Sequence, residues 1–213
     1  MAVKVIGAAF YTSTQRVLAA IYEKGVEYRL EPLDIMGGAH KKPDHLALHP
    51  FGQIPVIQDQ DLTLFETRAI IRYIAEKHKG QGTPLFGKNL KEKAIVEQWL
   101  AVEVEEFNGP ISTAIFQLVF GPVSWGIPTD ESLVSDALQK LGKVLDVYEK
   151  RLSDCKYLAG DFFSLADLAH LPYLHQLINV AKRGEMVKSR KHVYAWWEDI
   201  SCRPAWKNVL ELA

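Results

Sequence analysis

Cysteine is scarce in this chain, two in 213 residues, and Cys155 and Cys202 form neither a CxxC pair nor a metal-ligand pair. That count excludes a disulfide scaffold and fits a reduced, cytoplasmic protein. Long apolar runs are missing as well: no stretch approaches the roughly 18–20 residues that cross a bilayer. The opening MAVKVIGAAF has one basic residue and too short an apolar run for a secretory signal. Charge of one sign is also absent, with Lys+Arg 25 against Asp+Glu 26. Residues 1–77 hold nine basic and nine acidic side chains, so neutrality is not the average of two opposed halves. A polyanion-binding domain is excluded, and neither nucleic acid nor a membrane is expected as a partner.

The first 77 residues alternate strand and helix signals. Val3–Gly7 reads as a strand, followed by the cap-rich cluster Tyr11-Thr12-Ser13-Thr14 and a helix with Val17, Leu18, Ala20 and Ile21 on one face, stopped by Gly25. Tyr28–Leu33 is strand-like, with Pro32 placing it at an edge. Residues 35–53 carry Gly37, Gly38, Pro43, Pro50 and Gly52 and are expected to be loop with one short helix. Pro55–Ile57 and Leu62–Phe65 are strands joined at Asp59-Gln60-Asp61, and a helix from Thr67 to Lys77 buries Ala69, Ile70, Tyr73 and Ile74. Together these describe a mixed four-stranded sheet covered by helices, residues 1–78.

The glycine-rich stretch 79–89 reads as a linker. Residues 90–213 are all helical in pattern: 90–120 with a kink or break at Gly109-Pro110, Asp130–Leu152, a capping box Ser164–Asp167 opening a helix to about Leu177, then Lys191–Ile200 and Pro204–Leu212.

Chemistry concentrates in Pro50-Phe51-Gly52-Gln53-Ile54-Pro55-Val56 and, ten residues beyond Val56, in Glu66-Thr67-Arg68-Ala69-Ile70. A proline opening a strand leaves neighbouring N–H and C=O groups free for an extended peptide. A Glu-Thr pair at a helix start suits an amino acid head group, the helix end and hydroxyl taking a carboxylate and the Glu taking an ammonium. The same pair also serves as a plain Thr N-cap with a Glu that favours the helix dipole. Lys41 and Lys42 read alone as a solvated loop.

HPFGQIPVIQD and LFETRAIIRYI resemble the glutathione-binding motifs of cytosolic glutathione transferases. With His40-Lys41-Lys42 and Arg16, the pattern resembles the plant phi class over the whole chain. TQRVL and the stretch from Met186 to the C-terminus are similar to the flavonoid- and anthocyanin-associated subgroup. The resemblance implies a thioredoxin-like N-terminal domain, a cis Pro55, an all-α helical-bundle C-terminal domain and a homodimer. It implies glutathione as co-substrate, no permanently bound cofactor or metal, and conjugation to a hydrophobic electrophile, with peroxide reduction as a further reaction. The alternative is a largely non-catalytic carrier of flavonoids. Carried over by position, Gln53, Ile54 and Pro55 would hold the middle of the tripeptide, Glu66 and Thr67 its γ-glutamyl head, and His40 and Lys41 its glycine carboxylate. Phe10, Ile35, Ile115, Phe116 and Val119 would line the apolar second site.

One position departs from the pattern. The class carries serine five residues before the arginine of the first helix, and here Tyr11 stands there, followed by Thr12 and Ser13. A thiol must be ionised by a nearby donor or dipole before it attacks. Tyr11, whose phenol overreaches a serine hydroxyl, Thr12 and Ser13 all remain candidates, and Ser13 also serves as a simple helix cap. A cysteine-based mechanism fails, because the first cysteine is Cys155. His40, His45 and His49, spaced five and four apart, match no familiar zinc pattern.

Overall fold

The computed structural model describes residues 2–212. The chain divides into two compact units: one runs up to Leu85 and resumes at Arg203, the other is Phe86–Cys202.

The first unit contains β1 (Val3–Gly7), α1 (Thr12–Lys24), β2 (Tyr28–Pro32), a 3-10 turn (Ala39–Lys41), α2 (Pro43–Leu46), β3 (Val56–Asp59), β4 (Leu62–Leu64) and α3 (Thr67–Lys77). The sheet order is β2-β1-β3-β4. Val5 of β1 lies opposite Leu30 in the parallel β2 pairing and opposite Ile57 in the antiparallel β3 pairing. A parallel neighbour requires a crossover, which α1 supplies. This is the thioredoxin-like arrangement, with Pro32 ending an edge strand where its missing N–H breaks no inner ladder. Val5, Val56 and Ile57 of the sheet, Val17, Leu18 and Ile21 of α1, and Ile70, Ile71 and Ile74 of α3 are fully buried. On α3, Ile71 and Ala75 are buried where the pattern pointed to Ala69 and Tyr73, both half-buried. At the end of α1, Gly25 takes φ 60, which lets its N–H and that of Val26 close onto Tyr22 and Ile21.

The helical segment expected over 90–213 ends short of its last helix, which belongs with the first unit. A buried polar clasp explains why. Arg203 meets both oxygens of Glu23 at 2.5 and 2.7 Å, Thr83 donates to Glu23 Oε2 at 2.5 Å, and Lys24 Nζ donates to the Thr83 carbonyl at 2.9 Å. The helix that follows Arg203, Pro204–Leu210, buries Trp206 and Val209.

The second unit consists of α4 (Leu90–Val102), α5 (Asn108–Ile115), α6 (Gly121–Trp125), α7 (Glu131–Asp154), α8 (Leu165–Leu168), α9 (Leu171–His175), α10 (Glu185–Lys188) and α11 (Lys191–Ser201), and the last helix of the chain, already given, is α12. Of the kink or break expected at Gly109-Pro110, the break does not occur. Pro110 has no N–H to return to the preceding turn, and the helix widens into a π-helical stretch, Glu103–Phe107, instead of stopping. A second such stretch, Phe116–Phe120, precedes Pro122. The single helix expected from Ser164 to about Leu177 is divided, because Pro172 sits in the first turn of α9 and starts it afresh. Among the described residues no helix is long and apolar enough to cross a membrane.

The capping box holds this unit at its centre. Fully buried Asp167 accepts from Ser164 N (2.9 Å), Ser164 Oγ (3.0 Å), Leu158 N (3.0 Å) and Trp196 Nε1 (2.9 Å). Every partner is a donor, so an amide cannot replace the carboxylate: its NH2 would face two of them. Asp167→Asn is expected to lower the urea-unfolding free energy by about 2–4 kcal/mol, the cost of leaving buried donors unpaired. A change below about 0.5 kcal/mol, the size of an ordinary surface effect, would show that the box does not carry the unit.

Candidate functional site

Two segments of the first unit meet at the C-terminal end of β1. A Cβ added to Gly7 would lie 2.7 Å from Thr14 Oγ1 and 3.3 Å from the Pro55 Cβ. The first turn of α1 and the entry to β3 therefore approach each other over a residue without a side chain. The Ile54–Pro55 peptide is cis. Pro55 is buried, Ile54 half-buried and the Gln53 side chain exposed.

The loop ahead of Pro55 is tied to the 39–46 region through backbone atoms. Buried His45 donates from Nε2 to the Gln53 carbonyl at 2.7 Å, and Lys41 Nζ donates to the Phe51 carbonyl at 2.9 Å. Gly52 takes φ 58, and a Cβ there would come within 2.7 Å of the His40 carbonyl and 2.9 Å of Lys41 Cδ. His49, 2% exposed, packs on Phe65 at 4.6 Å between ring centroids. Burial pulls the His49 imidazole below its ordinary value against the pull of Glu66, and burial with the Lys41 charge does the same to His40. Both rings are thus neutral at neutral pH, and the positive charge on this loop is that of Lys41 and Lys42, both exposed.

On α1 the cap-rich cluster resolves differently from a serine cap. Tyr11 is the N-cap residue and makes no side-chain cap bond, Thr12 is the first helical residue and buried, and Ser13 is the second and half-exposed. No hydrogen bond to another described residue holds the Ser13 hydroxyl. Burial raises the Tyr11 phenol above its usual value, so it stays protonated, and its ring meets Phe10 edge-on at 5.7 Å. On α3 the plain Thr cap is likewise replaced: Thr67 is the first helical residue and buried, and the N-cap is Glu66. Glu66 carries φ 67, unusual for a residue with a side chain, makes no cap bond, and is exposed. Gln60 and Lys182 share this conformation, φ 58 and 57.

The apolar candidates lie in both units. In the first, Phe10 is exposed and Ile35 half-buried. In the helical unit Ile115 and Val119, four residues apart on one face, are closed into the interior, whereas Phe116 is 39% exposed beside Trp125, ring centroids 5.9 Å apart. Burial therefore takes Ile115 and Val119 off any open lining, and the helical spacing that made them look like a set is the spacing of a core face. Sequence reasoning named His45, Gly52, Gly7 and Thr14 but gave none of them a role in bringing these segments together. Only Gly52 left a readable signal, a glycine two residues before an X-Pro pair; the others act through distances.

Comparison with known proteins bears on this arrangement directly. Residues 1–76 match the family model described as "Glutathione S-transferase, N-terminal domain", and residues 111–204 match "Glutathione S-transferase, C-terminal domain". The chain is similar to glutathione S-transferase F9 of Arabidopsis thaliana, 48% identical over 99% of this chain and 97% of the relative. It is similar to the solved structure of glutathione transferase F7 from Populus trichocarpa, 50% identical with TM-score 0.94, covering 98% of both chains. A poplar glutathione transferase F1 solved as a Ser 13 Cys mutant superposes with TM-score 0.96 at 41% identity, over 100% of this chain and 98% of that one.

Two outcomes test the loop. Gly52→Ala forces a side chain onto positive φ and onto a backbone carbonyl, and is expected to lower stability by about 2–3 kcal/mol. A thermal midpoint within a degree of wild type would contradict that geometry. His49 titrates below its unfolded value, so its share of the stability is full above about pH 6.5 and is lost as pH falls below it. Thermal midpoints measured between neutral and mildly acidic pH should fall less steeply in His49→Phe than in wild type; equal slopes would contradict the assignment.

Proposed function

Since the chain belongs to the glutathione S-transferase family, among its plant phi-class (F-type) members, we propose that it binds glutathione along Lys41, Gln53, Ile54, Pro55, Glu66 and Thr67. In this reading the Ser13 hydroxyl ionises the glutathione thiol for attack on a hydrophobic electrophile. The observation that carries it is Glu66, an exposed carboxylate on a strained N-cap that makes no cap bond of its own. Glutathione offers at one end an ammonium beside a carboxylate. Glu66 takes the first; the open N-terminus of α3 with the Thr67 hydroxyl takes the second. The extended middle of the tripeptide runs along the backbone before β3, and the glycine carboxylate takes its charge partner from exposed Lys41. Neutral His40 contributes a hydrogen bond there and no charge.

For the thiol, three hydroxyls are separated by their settings. Tyr11 is a helix cap engaged with Phe10, Thr12 is buried, and Ser13 is half-exposed in the first turn of a thirteen-residue helix whose dipole favours a thiolate. The thiolate displaces a leaving group from the electrophile, forming the C–S bond as the C–leaving-group bond breaks, and the thiol proton leaves to solvent. With a peroxide, the same thiolate would attack oxygen and a second glutathione would complete the reduction. A cytoplasmic homodimer completes the proposal; Phe51, 67% exposed, is an aromatic side chain suited to a partner surface.

Carriage of flavonoids without chemistry is the second reading, favoured by Tyr11 standing where the class carries serine. Steady-state conjugation of chlorodinitrobenzene separates the two. Ser13→Ala is expected to lower kcat/KM by about 100-fold or more, the usual cost of losing one anion-stabilising donor, with little change in glutathione affinity. Tyr11→Phe should stay within about threefold of wild type. A Ser13→Ala enzyme at wild-type rate would remove Ser13 from the mechanism, and a wild type that binds glutathione without conjugating it would favour the carrier.

A further inference from the structure

Just before Pro55, a single side chain holds the peptide unit between Gln53 and Ile54. Buried His45 donates from Nε2 to the Gln53 carbonyl at 2.7 Å. Nothing else grips that unit. The Ile54 N–H has no hydrogen-bond partner among the described residues, nor has the Gln53 N–H before it, and Lys41 bonds two residues earlier, at the Phe51 carbonyl. The Gln53–Ile54 unit is trans, unlike Ile54–Pro55. In a trans unit the C=O and N–H lie in one plane and point opposite ways. Fixing the Gln53 carbonyl on the His45 ring therefore turns the Ile54 N–H away from that ring and leaves it as an unspent donor.

The His45 ring is itself fixed. It stacks on His49, centroids 6.4 Å apart and planes inclined by 26°, and His49 lies on Phe65 at 4.6 Å, next to Glu66. The His45 backbone is committed on both sides: its N–H bonds to the Lys42 carbonyl at 3.1 Å, and its carbonyl accepts from Leu48 and His49 at 2.9 Å each. A phenyl ring would fill this column of rings as well as an imidazole, but it would leave the Gln53 carbonyl unpaired. Packing alone thus does not call for a donor at position 45.

We infer that His45 is a positioning residue for glutathione binding: through the Gln53–Ile54 plane it aims the Ile54 N–H at the carbonyl of the tripeptide's middle residue. The inference rests on the glutathione reading and deepens it, because it names what orients the backbone donor. His45 touches no ligand and acts through one peptide plane. Without it that plane rotates about the single bonds on either side, and part of the binding energy goes into ordering it again.

Calorimetry with three thiols tests this on wild type, His45→Phe and His45→Gln. Glutathione has the middle carbonyl and the glycine carboxylate; γ-glutamylcysteine N-methylamide keeps only the carbonyl; γ-glutamylcysteamine has neither. His45→Phe is expected to weaken glutathione and the methylamide by about fivefold each, one net hydrogen bond, and γ-glutamylcysteamine by less than about twofold. His45→Gln, which keeps an N–H donor on a side chain of similar reach, should bind glutathione within about twofold of wild type. Should His45→Phe fail to fold, His45→Met is measured against the same expectations. Equal weakening of all three thiols, unchanged glutathione affinity, or a His45→Gln protein as weak as His45→Phe would overturn the inference and leave the glutathione reading standing. A wild type that binds none of the three would end the glutathione reading, and this inference with it.

Discussion

The N-terminal unit depends on backbone segments approaching closer than side chains would allow. Gly7 lets the first turn of α1 lie against Pro55, and Gly52 lets the turn at His40 and Lys41 lie against the loop that leads into β3. A methyl group at either place would meet an atom at 2.7 Å. His45 then fixes the Gln53 carbonyl, and His49 seats the loop on Phe65, next to Glu66. Burial pushes the His40 and His49 imidazoles toward neutrality, which leaves Lys41 and Lys42 to set the local charge. Removing either glycine would move the α1 hydroxyls or the lysine loop relative to the strand entry, while the sheet core of Val5, Val56 and Ile57 stayed in place.

Much of this was legible in the sequence where the signal is local. Val3–Gly7, the Gly25 stop, the Thr67–Lys77 helix and the Ser164–Asp167 box follow from short-range rules of alternation and capping, and the structure has them. What was illegible is set by distance or by compromise. The Arg203–Glu23 pair spans 180 residues and moves α12 out of the helical segment to which periodicity assigned it. Pro110 reads as a kink or break because the rule for proline omits the option of widening the helix upstream. Positive φ at Glu66 has no sequence signature at all, since a glutamate before a threonine reads as an ordinary helix start. Ile115 and Val119 show the reverse error: a face that looks like a lining is a core face, and Phe116 between them is the residue left outside.

The two units contribute different chemistry. The first offers fixed charges and backbone groups that, in the proposed reading, meet a zwitterionic peptide; the second has an apolar interior with the Phe116 ring left exposed. With neither cysteine in α1, the nucleophile in the proposed reading is the sulfur that glutathione brings. The protein's task is then electrostatic: to hold the peptide at both ends and place its sulfur where a hydroxyl and a helix N-terminus favour the anion.

That central claim is tested most directly by the ionisation of bound glutathione itself, followed through the ultraviolet absorbance of its thiolate as pH is varied in the wild-type protein at saturating glutathione. The account predicts half-ionisation at or below about pH 7, well under the roughly 8.5 of a free thiol. A bound thiol that still ionises at about 8.5 would contradict it, since the site would then hold glutathione without activating it.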